Sequence, residues 1–184
     1  MSRFLLLAAL GLPLFSGAAL AAEVVVPMTA IDSSGTGAAL GTLVVRDGKG
    51  GAVVTPKLSG LGTGPHGFHV HENPSCGPKE QDGKPVAGLA AGGHFDPDKT
   101  SRHEGPYGHG HKGDMPALAV NGDGKATDAV TVPNLKVADL KGRSIVIHAG
   151  ADNYADQPKA LGGGGARVAC GVVPEPKAKA TKKM

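Results

Sequence analysis

The sequence predicts an all-β domain, a sandwich or barrel with long loops. Thirty glycines and fourteen prolines punctuate the 184 residues, too many for a helical domain. Between them stand β-branched runs at the short intervals typical of sandwiches and barrels. Residues 73–114 then break that rhythm: they are rich in Gly, Pro, His and Asp and show almost no apolar periodicity. A loop of that length inside a domain is normally functional or disordered. The chain is long enough for one domain with a proper core.

Taken in order, the first residues are not part of that domain. Met1-Ser2-Arg3 is a short positive start, residues 4–15 are a compact apolar run, and Ala19-Leu20-Ala21 is a small-x-small cleavage site. This pattern predicts a secretory signal peptide over residues 1–21, with cleavage after Ala18 or Ala22 as the alternatives. It is too short and wrongly flanked for a transmembrane segment. The domain then runs over 22–173. Val-rich residues 23–31 form the first strand, turned by Asp32-Ser33-Ser34-Gly35. Residues 39–46 form the second, closed by Asp47-Gly48-Lys49-Gly50-Gly51, and residues 52–58 the third. A fourth covers 67–72. After the long loop, strands resume at 117–120 and 126–132, separated by Asn121-Gly122-Asp123-Gly124. Residues 144–148 are a compact apolar strand. A second long loop, 149–165, precedes the last strand at 166–173, and residues 174–184 read as a Lys-rich disordered tail.

Charge and composition exclude several classes. The formal net charge is +3, but Arg3 leaves with the signal and Lys177, Lys179, Lys182 and Lys183 dominate the tail. The body is close to neutral. With no Trp, two Tyr and no basic stripe, the chain carries no nucleic-acid signature. The tail is cationic enough for weak contact with an anionic envelope surface. In an oxidising compartment the two cysteines, Cys76 and Cys170, form one disulfide by default.

The chemistry centres on Gly67-Phe68-His69-Val70-His71. In a strand, His69 and His71 leave one face about 7 Å apart, while Phe68 and Val70 anchor the other face in the core. His148 closes the strand Ile145-Val146-Ile147-His148 and joins them; a site of imidazoles alone, held by rigid strands, suits copper. His94, His103, His111 and Asp114 are spread along the first long loop. Three imidazoles and a carboxylate suit tetrahedral zinc, which would order that loop in place of an apolar core. His66 reads as a packing and hydrogen-bonding residue. His109 is the alternative to His111.

Five motifs now stand together: Gly67-Phe68-His69-Val70-His71-Glu72, Gly93-His94-Phe95-Asp96-Pro97, His111-x-x-Asp114, Val146-Ile147-His148-Ala149-Gly150-Ala151-Asp152, and Gly163-Gly164-Gly165-Ala166-Arg167-Val168-Ala169-Cys170-Gly171. In this order, across residues 23–173, they resemble copper/zinc superoxide dismutase. The glycine-rich ending and the signal peptide are similar to its bacterial periplasmic branch.

The resemblance implies a flattened eight-stranded Greek-key β-barrel, an immunoglobulin-like sandwich with two long functional loops. It implies dismutation of superoxide to oxygen and hydrogen peroxide in the periplasm, with one copper and one zinc per subunit, as a monomer or a homodimer. Copper falls to His69, His71, His94 and His148, and zinc to His94, His103, His111 and Asp114, so that His94 bridges. The intervals from His94 to His103 and from His103 to His111, nine and eight residues, are where family spacing varies. Asp152 matches the carboxylate that links a copper histidine to a zinc histidine. Cys76 and Cys170 match the family disulfide. Arg167 matches the arginine beside copper that receives the anion, with Lys84 and Lys159 as further positive charges on the two loops. A copper-buffering or chaperone module would not need Arg167, and a zinc-only hydrolase would need a general base and an open zinc position, which four protein ligands do not leave.

Overall fold

Alternation builds the first sheet. Strands β1 (Glu23–Asp32), β2 (Gly35–Gly48) and β3 (Gly51–Ser59) form an antiparallel meander. Val26, Met28, Leu43, Val45, Val54 and Leu58 point inward from them and are buried, as period-two patterning requires. β2 starts at Gly35, earlier than its apolar run. The Asp32 carboxylate accepts hydrogen bonds from the Ser34 and Gly35 backbone N–H groups, and the ladder grows directly out of that turn. Backbone pairing, blind to side-chain polarity, carries it through Thr36-Gly37-Ala38 with a bulge. The structure, a computed structural model, describes residues 22–175. The expected signal peptide and nearly all of the Lys-rich tail lie outside the described residues.

The fourth expected strand is split. β4 (Gly64–His66) pairs with β8 (Leu118–Val120), and β5 (Phe68–His71) pairs with β11 (Ser144–His148). Gly67 sits between them and exchanges backbone hydrogen bonds with Gly150 and His148 instead. Inside the first long loop a small hairpin, β6 (Lys79–Gln81) and β7 (Lys84–Val86), turns at Asp82-Gly83 with both residues at positive φ. Asp-Gly favours this turn, so the hairpin was signalled by a dipeptide that composition alone had hidden. β8 (Leu118–Val120), β9 (Lys125–Ala126) and β10 (Val130–Val132) follow. The expected strand 126–132 is therefore two pieces, both resting on β3. β11 (Ser144–His148) and β12 (Arg167–Val172) complete the set.

The main sheet runs β10-β3-β2-β1-β12-β11-β5, with β9 also on β3. The last strand thus returns to lie beside the first, which is the Greek-key connection. β4 continues into β5, and β8 turns into β9, so the antiparallel sheet curls back on itself as a half-barrel with the core inside. Phe68, Val70, Ile145 and Ile147 face that core and are fully buried with Met28, Leu43, Met115, Leu118, Leu135 and Leu140. Each such side chain contributes on the order of 1.5–3 kcal/mol of burial.

The register of β5 on β11 places the chemistry. Val146 lies opposite His69 and Ser144 opposite His71, and residues opposite each other share a face. His69, His71 and His148 therefore stand on the outer face, while Phe68 and Val70 fix the strand from within. All four residues of β5 are buried nonetheless, because the two long loops cover the outer face. Cys76 is disulfide-bonded to Cys170 of β12 with Cα atoms 5.7 Å apart. That bond pins the first loop onto the sheet, over a small apolar cluster with Ile31, Ala91 and Val146.

Candidate metal centre

The first loop has no sheet of its own beyond the small hairpin, and it borrows the free edge of β5. Phe95 N donates to Val70 O, Val70 N to Gly113 O, and Gly113 N to Phe95 O, each at 2.9 Å. Bridges pair His71 with His94 and His69 with Asp114. The close packing needs glycine at 113, where a Cβ would collide with the Val70 carbonyl. Two segments far apart in sequence, around His94 and around Asp114, are thereby laid beside the strand histidines.

The result is two overlapping sets of buried ligand atoms: His69, His71, His94 and His148, and His69, His94, His103 and Asp114, with one donor atom per residue within 4.8 Å of the others in each set. Hydrogen bonds decide which ring nitrogen is free. His69 Nε2 donates to Asp152 Oδ2 at 2.6 Å, His71 Nδ1 to Gly92 O at 3.0 Å, and His148 Nδ1 to Gly165 O at 3.1 Å. Their other nitrogens, His69 Nδ1, His71 Nε2 and His148 Nε2, are buried without a partner. On the far side, His103 Nε2 donates to Asp152 Oδ1 at 2.8 Å. His103 Nδ1, His111 Nδ1 and Asp114 Oδ2 are again buried without a hydrogen bond. His103 Nδ1 and Asp114 Oδ2 are 2.8 Å apart at angles that make none. Native interiors rarely leave buried polar atoms unpaired, and six converging here describe places for cations.

His94 belongs to both sets, and its Nδ1 is 2.9 Å from Asp114 Oδ1, which leaves Nε2 at the other end of the ring for the strand histidines. His69 also appears in both, but the carboxylate on its Nε2, Asp152, lies outside both sets, whereas the one on His94 Nδ1, Asp114, is itself a member of the second.

Burial favours the neutral form of His69, His71, His94 and His148. It pushes His69 down to about 3, against the pull of Asp152, and His148 down to about 4, against the Gly165 carbonyl. Burial also takes His71 well below the ordinary histidine range and lowers His94. A neutral imidazole is the form that binds metal. His103 differs: burial opposes its charge, but the carboxylates of Asp114 and Asp152 outweigh that and raise it to about 9. Both carboxyls are held well below their usual range by the histidines around them, though burial acts the other way. A divalent cation would replace the proton that His103 otherwise holds.

The family model described as copper/zinc superoxide dismutase matches residues 39–173. The chain belongs to the copper/zinc superoxide dismutase family. It is 52% identical over 154 residues to "Superoxide dismutase [Cu-Zn] 2" of Salmonella typhimurium, covering 83% of this chain and 89% of that one. To the "Superoxide dismutase [Cu-Zn]" of Escherichia coli it is 49% identical, over 94% of this chain and 99% of the relative. The solved Cu/Zn superoxide dismutase from Brucella abortus superposes with a TM-score of 0.82 at 50% identity, covering 83% of this chain and all of that one.

In this superoxide dismutase fold, Asp152 lies between His69 and His103, one oxygen to each. His111, expected with His94, His103 and Asp114, lies beside them but in neither set of clustered ligand atoms; its ring centroid is 5.3 Å from that of His94 and its Nδ1 3.6 Å from Asp114 Oδ1. His109 is exposed. His66 hydrogen-bonds the carbonyls of His148 and Gly62 and holds the end of β11. Arg167 is half-buried, its guanidinium donating to Gly88 O at 2.6 Å and Gly92 O at 2.7 Å. Lys84 and Lys159 are exposed on the two loops.

Three supporting residues escaped the sequence reading. Asp156 accepts from the backbone N–H groups of His103 and Leu161 and so joins the loops. Tyr154 accepts from Ala117 N at 2.8 Å, and Glu72 from Gly93 N at 3.0 Å. All three act on backbone across long sequence separations. Glu72 closes the first motif and Tyr154 follows the fourth by two residues, but no spacing signals the backbone contacts that the three make.

Proposed function

We propose that this protein dismutates superoxide, with copper on His69, His71, His94 and His148 and zinc on His94, His103, His111 and Asp114. The observation that carries it is the division of the unpaired buried atoms into a nitrogen-only group and a group with one carboxylate. The first composition suits copper and the second zinc. Two superoxide anions and two protons give one oxygen and one hydrogen peroxide, the bound copper supplying a centre that takes one electron and later returns it. The residues do the rest. His69, His71 and His148 hold fixed tautomers, set by Asp152, Gly92 O and Gly165 O, and so orient their free nitrogens. His94 Nε2 is the atom that can carry a proton to the reduced oxygen. Zinc-side contacts keep the His94 ring in place meanwhile. Arg167, positive at any working pH, presents donors to a small anion, and Lys84 and Lys159 add attraction at longer range.

The sequence pattern of a signal peptide over 1–21 supports export of the domain at 22–173 to the periplasm, as a monomer or homodimer, and the lysines of residues 174–184 suit weak contact with an anionic envelope surface. Among the described residues, no helix is long and apolar enough to cross a membrane. Metal analysis of the purified mature protein, joined to its electron paramagnetic resonance spectrum and a superoxide assay, tests the reading. Equimolar copper and zinc with a tetragonal copper signal and rapid superoxide loss are expected. Zinc alone, or copper without turnover, overturns it.

A further inference from the structure

The zinc side has one weak wall. The side chains of His94, His103 and Asp114 are 1% exposed or less, while that of His111 is 8% exposed. His103 is sealed by the second long loop: Asp152 takes its ring and Asp156 its backbone N–H. His94 and His69 stack at 3.9 Å and close the copper side. Phe95 and Gly113 are laid on β5 below. His111 is the least sealed of these side chains and borders a cavity of about 370 Å³ whose lining includes Asp98, His109, Lys112 and Asn134.

His109 is held at this mouth. Its flanking residues, Gly108 and Gly110, pack so closely on Arg102–Glu104 that side chains there would collide with the Glu104 and Arg102 backbone. His109 N donates to Glu104 Oε2 at 2.9 Å, and Arg102 Nη2 donates to His109 O at 3.5 Å. The backbone is fixed, yet the His109 ring makes no hydrogen bond among the described residues and is exposed. Asp98 is exposed as well. Lys112 turns its ammonium to Asp139 at 2.8 Å, which draws its charge into an ion pair. An imidazole and a carboxylate, neither with a side-chain partner among the described residues, thus stand outside the zinc-side ligand that solvent reaches most.

A divalent ion cannot enter a buried site bare, because burying an unpaired charge is prohibitive. It must exchange waters for ligands in steps, and imidazole with carboxylate is a suitable intermediate pair. We propose that this cavity is the loading port of the zinc site, with His109 and Asp98 as transient ligands that pass the ion to His111. The proposal rests on the zinc assignment above and adds a second, outer metal-binding position to it.

The test is exchange of bound zinc for an enriched zinc isotope in the copper- and zinc-loaded protein, followed by mass spectrometry. Zinc content at equilibrium against a competing chelator is measured beside it. His109→Ala and Asp98→Asn should each slow exchange severalfold, and the double variant at least fivefold, with equilibrium zinc content unchanged. Asn134→Ala, which alters the same cavity but removes neither group, should stay within twofold of wild type. Unchanged exchange in the double variant overturns the port, as does equal slowing by Asn134→Ala. Loss of equilibrium zinc in His109→Ala would make His109 a resident ligand and overturn it too. Wild-type protein that holds no zinc under saturating zinc overturns the zinc assignment itself, a result distinct from bound zinc with unaltered exchange.

Discussion

His69 and His103 hang from the two oxygens of one carboxylate. Asp152 Oδ2 takes His69 Nε2 at 2.6 Å, and Oδ1 takes His103 Nε2 at 2.8 Å. His69 belongs to both sets of clustered ligand atoms and His103 only to the set with a carboxylate, so Asp152 fixes one tautomer in each ring and ties the two positions mechanically. It also accepts from Tyr154 N at 2.7 Å, which anchors it in the second loop. An asparagine would keep one acceptor and turn its NH₂ toward the other ring's N–H. One histidine must then lose its orientation. We expect Asp152→Asn to weaken zinc retention by roughly 10–100-fold, the usual effect of losing such a partner. Chelator competition on the loaded protein measures this, and wild-type retention would show that the carboxylate is not needed to orient the rings.

The disulfide reaches the site through backbone. Cys76 is tied to Cys170, and the loop that follows Cys76 carries the Gly88 and Gly92 carbonyls that hold Arg167 and His71. Bridging residues 94 positions apart restricts the unfolded chain by about 4–5 kcal/mol in the chain-entropy model. Reduction should therefore lower the melting temperature and also loosen copper. Thiol titration of denatured, unreduced protein should find none, and recovery of two thiols would remove the bridge from the account.

Metal-free protein should be most stable near pH 6.5. His69, His71 and His148 are held below their ordinary pKa by burial. Below pH 6.5 the unfolded chain binds protons that these folded rings refuse, so stability falls as pH falls, by up to about 1.4 kcal/mol per pH unit per ring. His103 works oppositely. Its contribution is complete below pH 6.5 and is lost as pH rises toward about 9. Asp114 and Asp152, held low, lose theirs only in stronger acid. Chemical denaturation of chelator-treated protein across pH 4–9 measures the profile. A monotonic rise through pH 9 would contradict the charged His103.

What was legible in the sequence was whatever has a short period or a fixed spacing. His69 and His71 alternate with Phe68 and Val70, so one pentapeptide specified both a core face and a ligand face. His148 ends a strand whose apolar residues announce it. The family motifs carried the fold and the metals further than periodicity could. Residues that hold the loops were not legible: Asp156 reaches His103 across 53 positions, and the Gly92 carbonyl is a backbone atom whose use no side chain encodes. The split at Gly67 was equally hidden, because it depends on where β8 and β11 arrive. His109 and His111 differ in sequence only by register along a glycine-rich stretch, and it is folding that turns one ring inward and the other to solvent.

Arg167 yields the last prediction. Superoxide is small and singly charged, so it offers no shape, and charge must do most of the selecting. The Arg167 guanidinium lies across two loop carbonyls, Gly88 O and Gly92 O, and Gly92 O also accepts from His71 Nδ1. The Arg167 guanidinium and the His71 ring thus share an anchor. Burial lowers the Arg167 pKa, yet a guanidinium remains charged at any working pH. Arg167→Ile should keep both metals and cut turnover at least about tenfold, equivalent to about 1.4 kcal/mol of lost transition-state stabilisation. Arg167→Glu should do worse, since it repels the anion. Arg167→Lys should be intermediate: the charge survives, but a single ammonium cannot span both carbonyls. Added salt should slow the wild type by screening, and slow Arg167→Ile less, because less field is left to screen. Pulse radiolysis on metal-replete proteins measures all four rates. Wild-type turnover in Arg167→Ile would reduce Arg167 to a clamp on the Gly88 and Gly92 carbonyls, and attraction of the anion would then fall to Lys84 and Lys159 alone.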